Sequence, residues 1–379
     1  MHSPNRPKHA RGDGRLAELD LLRFLAALAV VAFHYLVAYA SVWGDRPAEL
    51  FPALAPIAGL GILGVELFFI ISGFVILMSV WGRGLGAFAR SRLVRLYPAY
   101  WLSLAAIAAL YGLTAAKPLD PKLSPGEYLV NATMFQRLFK ITDASGVYWS
   151  LWAELRFYLL ISILVIIGVT YGRVLAFAGI WLAAVIGARL LDDSLVNEIV
   201  MPDYAPYFIA GMALYLIHKH GHKRGSAWLP WLYVAAGYAL SIGSALDRVH
   251  RRIDLAGFKN MPVTDTSVIV TITLIYIAMS LAALGLLRLK PSRLLTALGG
   301  TTYPLYLFHS AVAVALIPLL LAGDLPAWTT VTITTLAAIL LSYLVYSFAE
   351  RPIQRLLKPR RRPETPAARA VEVQKASVP

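Results

Sequence analysis

The sequence contains no cysteine. That absence excludes disulfides, thiolate metal sites, a cysteine nucleophile and iron–sulfur clusters, and it leaves the compartment open. Charge is scarce as well. Asp, Glu, Lys and Arg make up 15% of the 379 residues, against about 25% in soluble domains. Acids are the scarcer sign, 21 against 35 Lys and Arg. There is no P-loop, no H-E-x-x-H and no internal repeat, so no nucleotide or metal motif is at hand. What abounds is apolar: 58% of residues are hydrophobic and the mean hydropathy is +0.64. Such a chain cannot hide its side chains in a water-facing globule, so a lipid bilayer is its expected solvent. In that setting the net charge of +14 reads as Lys- and Arg-rich cytoplasmic loops rather than a nucleic-acid surface.

The fold class expected is an all-α polytopic membrane protein, a bundle of about ten transmembrane helices. Apolar stretches of suitable length lie near 19–40, 58–80, 97–115, 147–168, 173–191, 204–218, 228–246, 267–287, 301–321 and 327–348. Lipid satisfies no backbone hydrogen bonds and no barrel-like alternation is seen, so all of them read as helices. Residues 1–17 form a basic tail, 18–352 the membrane domain and 353–379 a polar, Pro/Ala-rich tail expected to be disordered. The first segment follows a basic leader, as a signal peptide would. Its length of about twenty residues suits a retained helix instead.

Basic residues cluster at the N-terminal tail (Arg6, Lys8, Arg11, Arg15), at Arg83 to Arg95 and at Arg351 to Arg362. Both termini are therefore predicted to be cytoplasmic. The basic stretch 247–260 breaks the trend. Either it faces anionic groups on the far surface, or the helix count is off by one. Loops 116–146 and 247–266 are long enough to act as lids. The trio His218, His220 and His222 reads as a solvated basic turn rather than a metal site.

Ionisable residues inside membrane helices are costly and mark function or helix pairing. Arg23 and His34 differ by eleven positions, so they lie about 20° apart on one helical face and about 16 Å apart along it. Asp20 lies one turn below Arg23 and is placed to pair with it. Glu66 and Glu154 each sit about six residues, or about 9 Å, into a helix descending from the far side. His34 reaches a similar depth in a core about 30 Å thick. A carboxylate beside a histidine fixes its tautomer and raises its basicity, which suits a general base. The same residues would also serve to hold helices together. Arg92 and Arg95, one turn apart, suit a phosphate or simple anchoring at the cytoplasmic surface. Arg156 faces away from Glu154 and calls for an acid on a neighbouring helix.

Together, LDLLRFLAALAVVAFHY, GVELFFIISGFVI, RSRLVRLYPAYW, YWSLWAELRFY, GTTYPLYLFH and FAERP resemble the membrane-bound acyltransferases of family 3. Members of that family O-acylate bacterial polysaccharides, lipopolysaccharide, peptidoglycan, Nod factors and some antibiotics. The six stretches follow the family's order across about residues 18 to 352. The resemblance implies an inner-membrane enzyme with an acyl-CoA donor, acetyl-CoA foremost, bound from the cytoplasm as substrate, with no resident cofactor or metal. It implies His34 as catalytic base, helped by Glu154 or Glu66, and Arg23, Arg92 and Arg95 on the donor. Asp20, Trp149, Ser150, Tyr303 and His309 take supporting places. The implied partners are membrane lipids and a carbohydrate or glycolipid acceptor, not nucleic acid. No hydrolase-type domain follows the last helix, so the chain completes the transfer itself or hands on to a separate periplasmic transferase. Direct transfer and an acyl-histidine relay both remain open. The alternative reading from the residues alone is a transporter exporting a glycan precursor or an acylated product.

Overall fold

The computed structural model describes residues 16–113, 119, 123–191, 193–221, 228–257 and 261–357. The basic residues expected in the N-terminal tail up to Arg15, His222, and the tail from Lys358 onward lie outside them. Ten helices are long and apolar enough to cross a membrane, one for each predicted segment. They are α1 (Ala17–Phe33), α2 (Gly64–Val80), α3 (Leu85–Leu113), α4 (Trp149–Ile167), α5 (Tyr171–Leu191), α6 (Ala205–His220), α7 (Trp228–Leu255), α8 (Asp265–Leu284), α9 (Arg293–Ala322) and α10 (Ala327–Val345).

Local sequence sets several boundaries. The Thr264 and Ser292 side chains accept from the backbone N–H groups of Ser267 and Leu295, starting α8 and α9. Gly285, left-handed at φ +71°, ends α8. The letters G-x-G-x-x-G at 59–64 belong to packing rather than to a phosphate loop, because helical turns, not a strand, precede Gly64. A Cβ on Gly61 would lie 2.1 Å from the Ala29 carbonyl oxygen, and one on Gly64 2.5 Å from that of Ala26. These absences let α1 and the start of α2 touch backbone to backbone, as membrane helices do where small residues meet.

The inner bundle consists of α1, α2, α6 and α9. α1 packs on α2 and α9, α2 on α6, α6 on α7, and α9 on α3 and α10. Two helices are extended by π turns: His34–Ala38 continues α1 and Tyr346–Glu350 continues α10. Leu16 and Leu357 line the same vestibule, so both ends of the described chain emerge on one face, here called the terminal face.

Three expectations are corrected. α3 begins at Leu85, twelve residues before the predicted 97, so the basic turn Arg90 to Arg95 is helical and part of the bundle. α7 continues to Leu255, so residues 247–255 are a helix end rather than a lid, and the helix count stands at ten. His218 and His220 form the last turn of α6 instead of a free turn; His218 bonds to the Ala283 carbonyl at 2.9 Å and the His220 ring lies against Trp81. The 116–146 stretch holds a short helix, Pro125–Asn131, opened by a reciprocal Ser124–Glu127 capping box.

Candidate active site

A vestibule of ≈ 660 Å³ opens at the terminal face, lined by Arg23, Arg83, Arg90, Arg92, Arg95 and the single carboxylate Asp20, among others. Arg23, Arg92 and Arg95 also line a second, deeper cavity of ≈ 120 Å³. The two spaces thus meet at three guanidiniums. Beyond them the wall carries Ser72, Ser150, Glu154, Tyr158, Tyr303 and Tyr306.

Arg92 and Arg95 share a helix face but not a state. Arg95 pairs with Glu350 at 3.3 Å and lies over the Tyr303 ring at 5.6 Å. Glu350 is fully buried; α10's π turn carries it to Arg95. Arg92 donates to Ser91 Oγ at 2.8 Å, and its buried Nε has no hydrogen-bond partner among the described residues. Its guanidinium rests near the Phe88 and Tyr158 rings. A buried N–H without an acceptor costs roughly 1–3 kcal/mol, and an anion entering the vestibule would satisfy it. Arg23 lies in the field of Arg95, Asp20 and Glu154. Asp20 is buried against Gly299, where a Cβ would fall 2.3 Å from its Oδ1.

Glu154 accepts from Ser72 Oγ at 3.2 Å and from the Tyr158 hydroxyl. It therefore belongs to the Arg23 side of the cavity. Glu66 turns the other way. It is fully buried and forms an ion pair with Arg248 of α7 at 2.5 Å. Arg248 lies between the faces of Trp149 and Tyr204, at 5.0 and 4.7 Å.

His34 thus meets neither acid. Its neighbour is His309 of α9, with His309 Nε2 and His34 Nδ1 3.1 Å apart. A similar expected depth along three helices does not make their residues neighbours. Rotation about each helix axis, which depth leaves undefined, sends them to other partners. The surrounding acceptors assign the tautomers. His309 Nδ1 faces the Leu305 carbonyl oxygen at 3.1 Å, and a carbonyl only accepts. In the neutral ring Nδ1 therefore carries the proton and Nε2 the lone pair. His34 Nδ1 faces the Val30 carbonyl at 2.9 Å and that lone pair, so it too is the N–H. His34 Nε2 is left as a free lone pair. Tyr35 donates to the His309 carbonyl at 2.8 Å, and the Tyr39 and Ser310 hydroxyls are 2.5 Å apart, so the dyad is fixed from both helices. Tyr306 connects dyad and cavity: its hydroxyl is 2.6 Å from Ser150 Oγ and its ring 6.1 Å from that of His309.

Of the supporting residues, Tyr303 donates to the Leu96 carbonyl and braces α3 against α9. Arg156 finds its acid in Glu198 at 3.0 Å. Reading the sequence singles out neither Glu350 nor Arg248 as a site residue. Both were within reach of the rule that a charge in a membrane helix needs a partner: Glu350 lies in the quoted FAERP stretch and Arg248 in the basic stretch read as a loop. Tyr306 and Ser72 carry no such charge signal.

Ten apolar helices among the described residues, around a cavity lined by three arginines and a buried histidine pair, define a multi-pass membrane protein with a polar interior. An acyltransferase-domain family profile matches residues 16–347, and the chain belongs to that family of acyltransferases. It is 26% identical over 329 residues to the exopolysaccharide production protein ExoZ of Rhizobium meliloti (strain 1021), covering 83% of this chain and 96% of the relative. It is 32% identical over 151 residues to the acyltransferase MdmB of Streptomyces mycarofaciens, 38% of each chain. It is 34% identical over 168 residues to protein 2 in the picA locus of Rhizobium radiobacter, 37% of this chain and 78% of the relative. No solved structure matches. The protein is accordingly an enzyme that transfers acyl groups other than amino-acyl groups.

Proposed function

We propose that this acyltransferase moves an acyl group, acetyl foremost, from cytoplasmic acyl-CoA to a hydroxyl of a carbohydrate acceptor, such as an exopolysaccharide or lipopolysaccharide precursor. The terminal face is then the cytoplasmic face of a bacterial inner membrane. The observation that carries the reading is the His34 Nε2 lone pair, isolated by the histidine dyad, with Tyr306 between that dyad and the cavity lined by Arg23, Arg92 and Arg95. The ExoZ relative, named for exopolysaccharide production, supports the acceptor class.

In this mechanism the donor's phosphates engage Arg92, whose Nε lacks a partner, with Arg23 deeper along the arm. The pantetheine arm occupies the inner cavity. His34 Nε2 takes the proton of the acceptor hydroxyl as its oxygen bonds to the thioester carbon. The carbon–sulfur bond breaks, and the proton passes from the imidazolium to the departing CoA sulfur. His309 takes the supporting role that the sequence had assigned to Glu154 or Glu66: its lone pair accepts from His34 Nδ1–H and steadies the positive ring. Glu154, beside Ser72 and Tyr158, holds the inner cavity open near Arg23.

Protein purified into proteoliposomes is expected to release CoA from acetyl-CoA and to acetylate a glycan acceptor, read by mass spectrometry. His34→Ala is expected to abolish transfer while inserting normally. Full transfer by that variant overturns the assignment of the base.

A further inference from the structure

A third cavity, of ≈ 740 Å³, lies at the opposite end of the bundle from the terminal face and is lined in part by Trp149, Arg137, Lys140 and Arg252. Its two acids are already engaged. Asp143 pairs with Arg137 at 2.6 Å and Glu198 with Arg156 at 3.0 Å. Arg252 differs. It follows Arg248 by one helical turn on the same face of α7, is exposed, lines this cavity and forms no ion pair with a carboxylate among the described residues. Arg248 is already paired with Glu66. α7, which carries Arg252, also packs on the π turn that begins at His34. A guanidinium held beside a second one, without a counter-ion and facing a roomy cavity, is the arrangement of an anion receptor.

We infer that Arg252 binds an anionic group of the acceptor, a phosphate or carboxylate carried by the sugar, and so delivers a neighbouring hydroxyl to His34 Nε2. Trp149 offers a ring face on the same wall for the sugar itself. Its other duty, against Arg248, fixes that ring in place. The inference rests on the acyl-transfer reading given above and narrows it from carbohydrates in general to charged ones.

The test uses the full chain in nanodiscs of neutral lipid, with the donor side saturated by desulfo-CoA so that an added anion cannot occupy Arg92. Binding of glucose 1-phosphate and of methyl glucoside is compared. Wild type is expected to bind the phosphorylated sugar about tenfold more tightly, the usual weight of a charge-assisted contact. Arg252→Gln is expected to erase that preference and leave methyl glucoside unchanged. Absence of the preference in wild type, or its survival in Arg252→Gln, overturns the inference. Arg252-dependent retention of phosphatidylglycerol in place of the sugar phosphate assigns the site to a lipid headgroup and overturns it as well. CoA release from acetyl-CoA in the presence of a phosphorylated glycan acceptor is measured with wild type in parallel. If wild type releases none, the acyl-transfer reading has failed, independently of how Arg252 behaves.

Discussion

The two ends of the enclosed interior handle polarity in opposite ways. At the terminal face five arginines meet one carboxylate, and Arg92 keeps a buried N–H without an acceptor. Around His34 and His309 each ring nitrogen but one has a partner, and no charge is required. The first arrangement is incomplete and awaits an anion. The second is complete and leaves a single lone pair exposed to a substrate. Under the proposed function, binding and chemistry are thereby separated, with the arginines that would receive the donor kept apart from the histidine that would serve as base.

The largest expected effect breaks the complete end. His34→Ala should lower the transfer rate by about 10²–10⁴-fold, the weight of a general base, with the circular dichroism spectrum unchanged. A rate within about threefold of wild type would leave the base unidentified. Next comes the buried Glu66–Arg248 pair. Arg248→Met leaves Glu66 charged and alone and should cost about 3–5 kcal/mol of stability. The double change Arg248→Met with Glu66→Leu should recover most of that loss, read as detergent melting temperature. No recovery would mean that the pair does more than neutralise itself.

At the open end, Arg92→Ala should raise the KM for acyl-CoA about tenfold, the loss of one charge-assisted phosphate contact, with kcat nearly intact. Arg95→Ala should behave differently. It strands the buried Glu350 and should cost about 1–3 kcal/mol of stability, which Glu350→Gln partly restores. Identical behaviour of the two arginines would erase the distinction drawn between them. The smallest effect concerns the Ser124–Glu127 cap outside the bundle. Two hydrogen bonds from Ser124 hold the Glu127 carboxyl below its ordinary value of 4.5. A depressed value means the cap contributes above that pH and is lost as pH falls through the folded value. Amide exchange across residues 125–131 should accordingly quicken in acid, and Ser124→Ala, which keeps the backbone hydrogen bond and loses the hydroxyl one, should weaken that dependence.

The ten helices were legible because length and hydropathy suffice to identify a span, and each predicted segment has its counterpart. The meeting of Arg23, Arg92 and Arg95 was also legible, since all three lie near the same surface. The partner of His34 was not. Its depth was readable from position along α1, but its neighbours depend on how α2, α4 and α9 are rotated about their own axes. Near-uniform apolarity hides that rotation, for a helix buried on every side has no polar face to orient it. Arg248 escaped for a different reason: a charge beyond the expected end of α7 looked like a loop, because its partner lies 182 positions earlier at Glu66.

The π turns have a consequence for how this chain tolerates changes in length. Each holds one residue more than the same stretch of α-helix requires, and the first begins at His34 itself. The eleven-position interval from Arg23 to His34 therefore stays in regular helix, and the slack is taken up only after it. Losing one residue from 35–38 would take up that slack and return the turn to α geometry with the following segment still in phase. Tyr39 would stay beside Ser310, and Arg23 and His34 would keep their mutual phase. The helix thus works like a vernier, one scale fixing the distance between two functional side chains and a second, offset by a residue, fixing how the chain leaves the membrane.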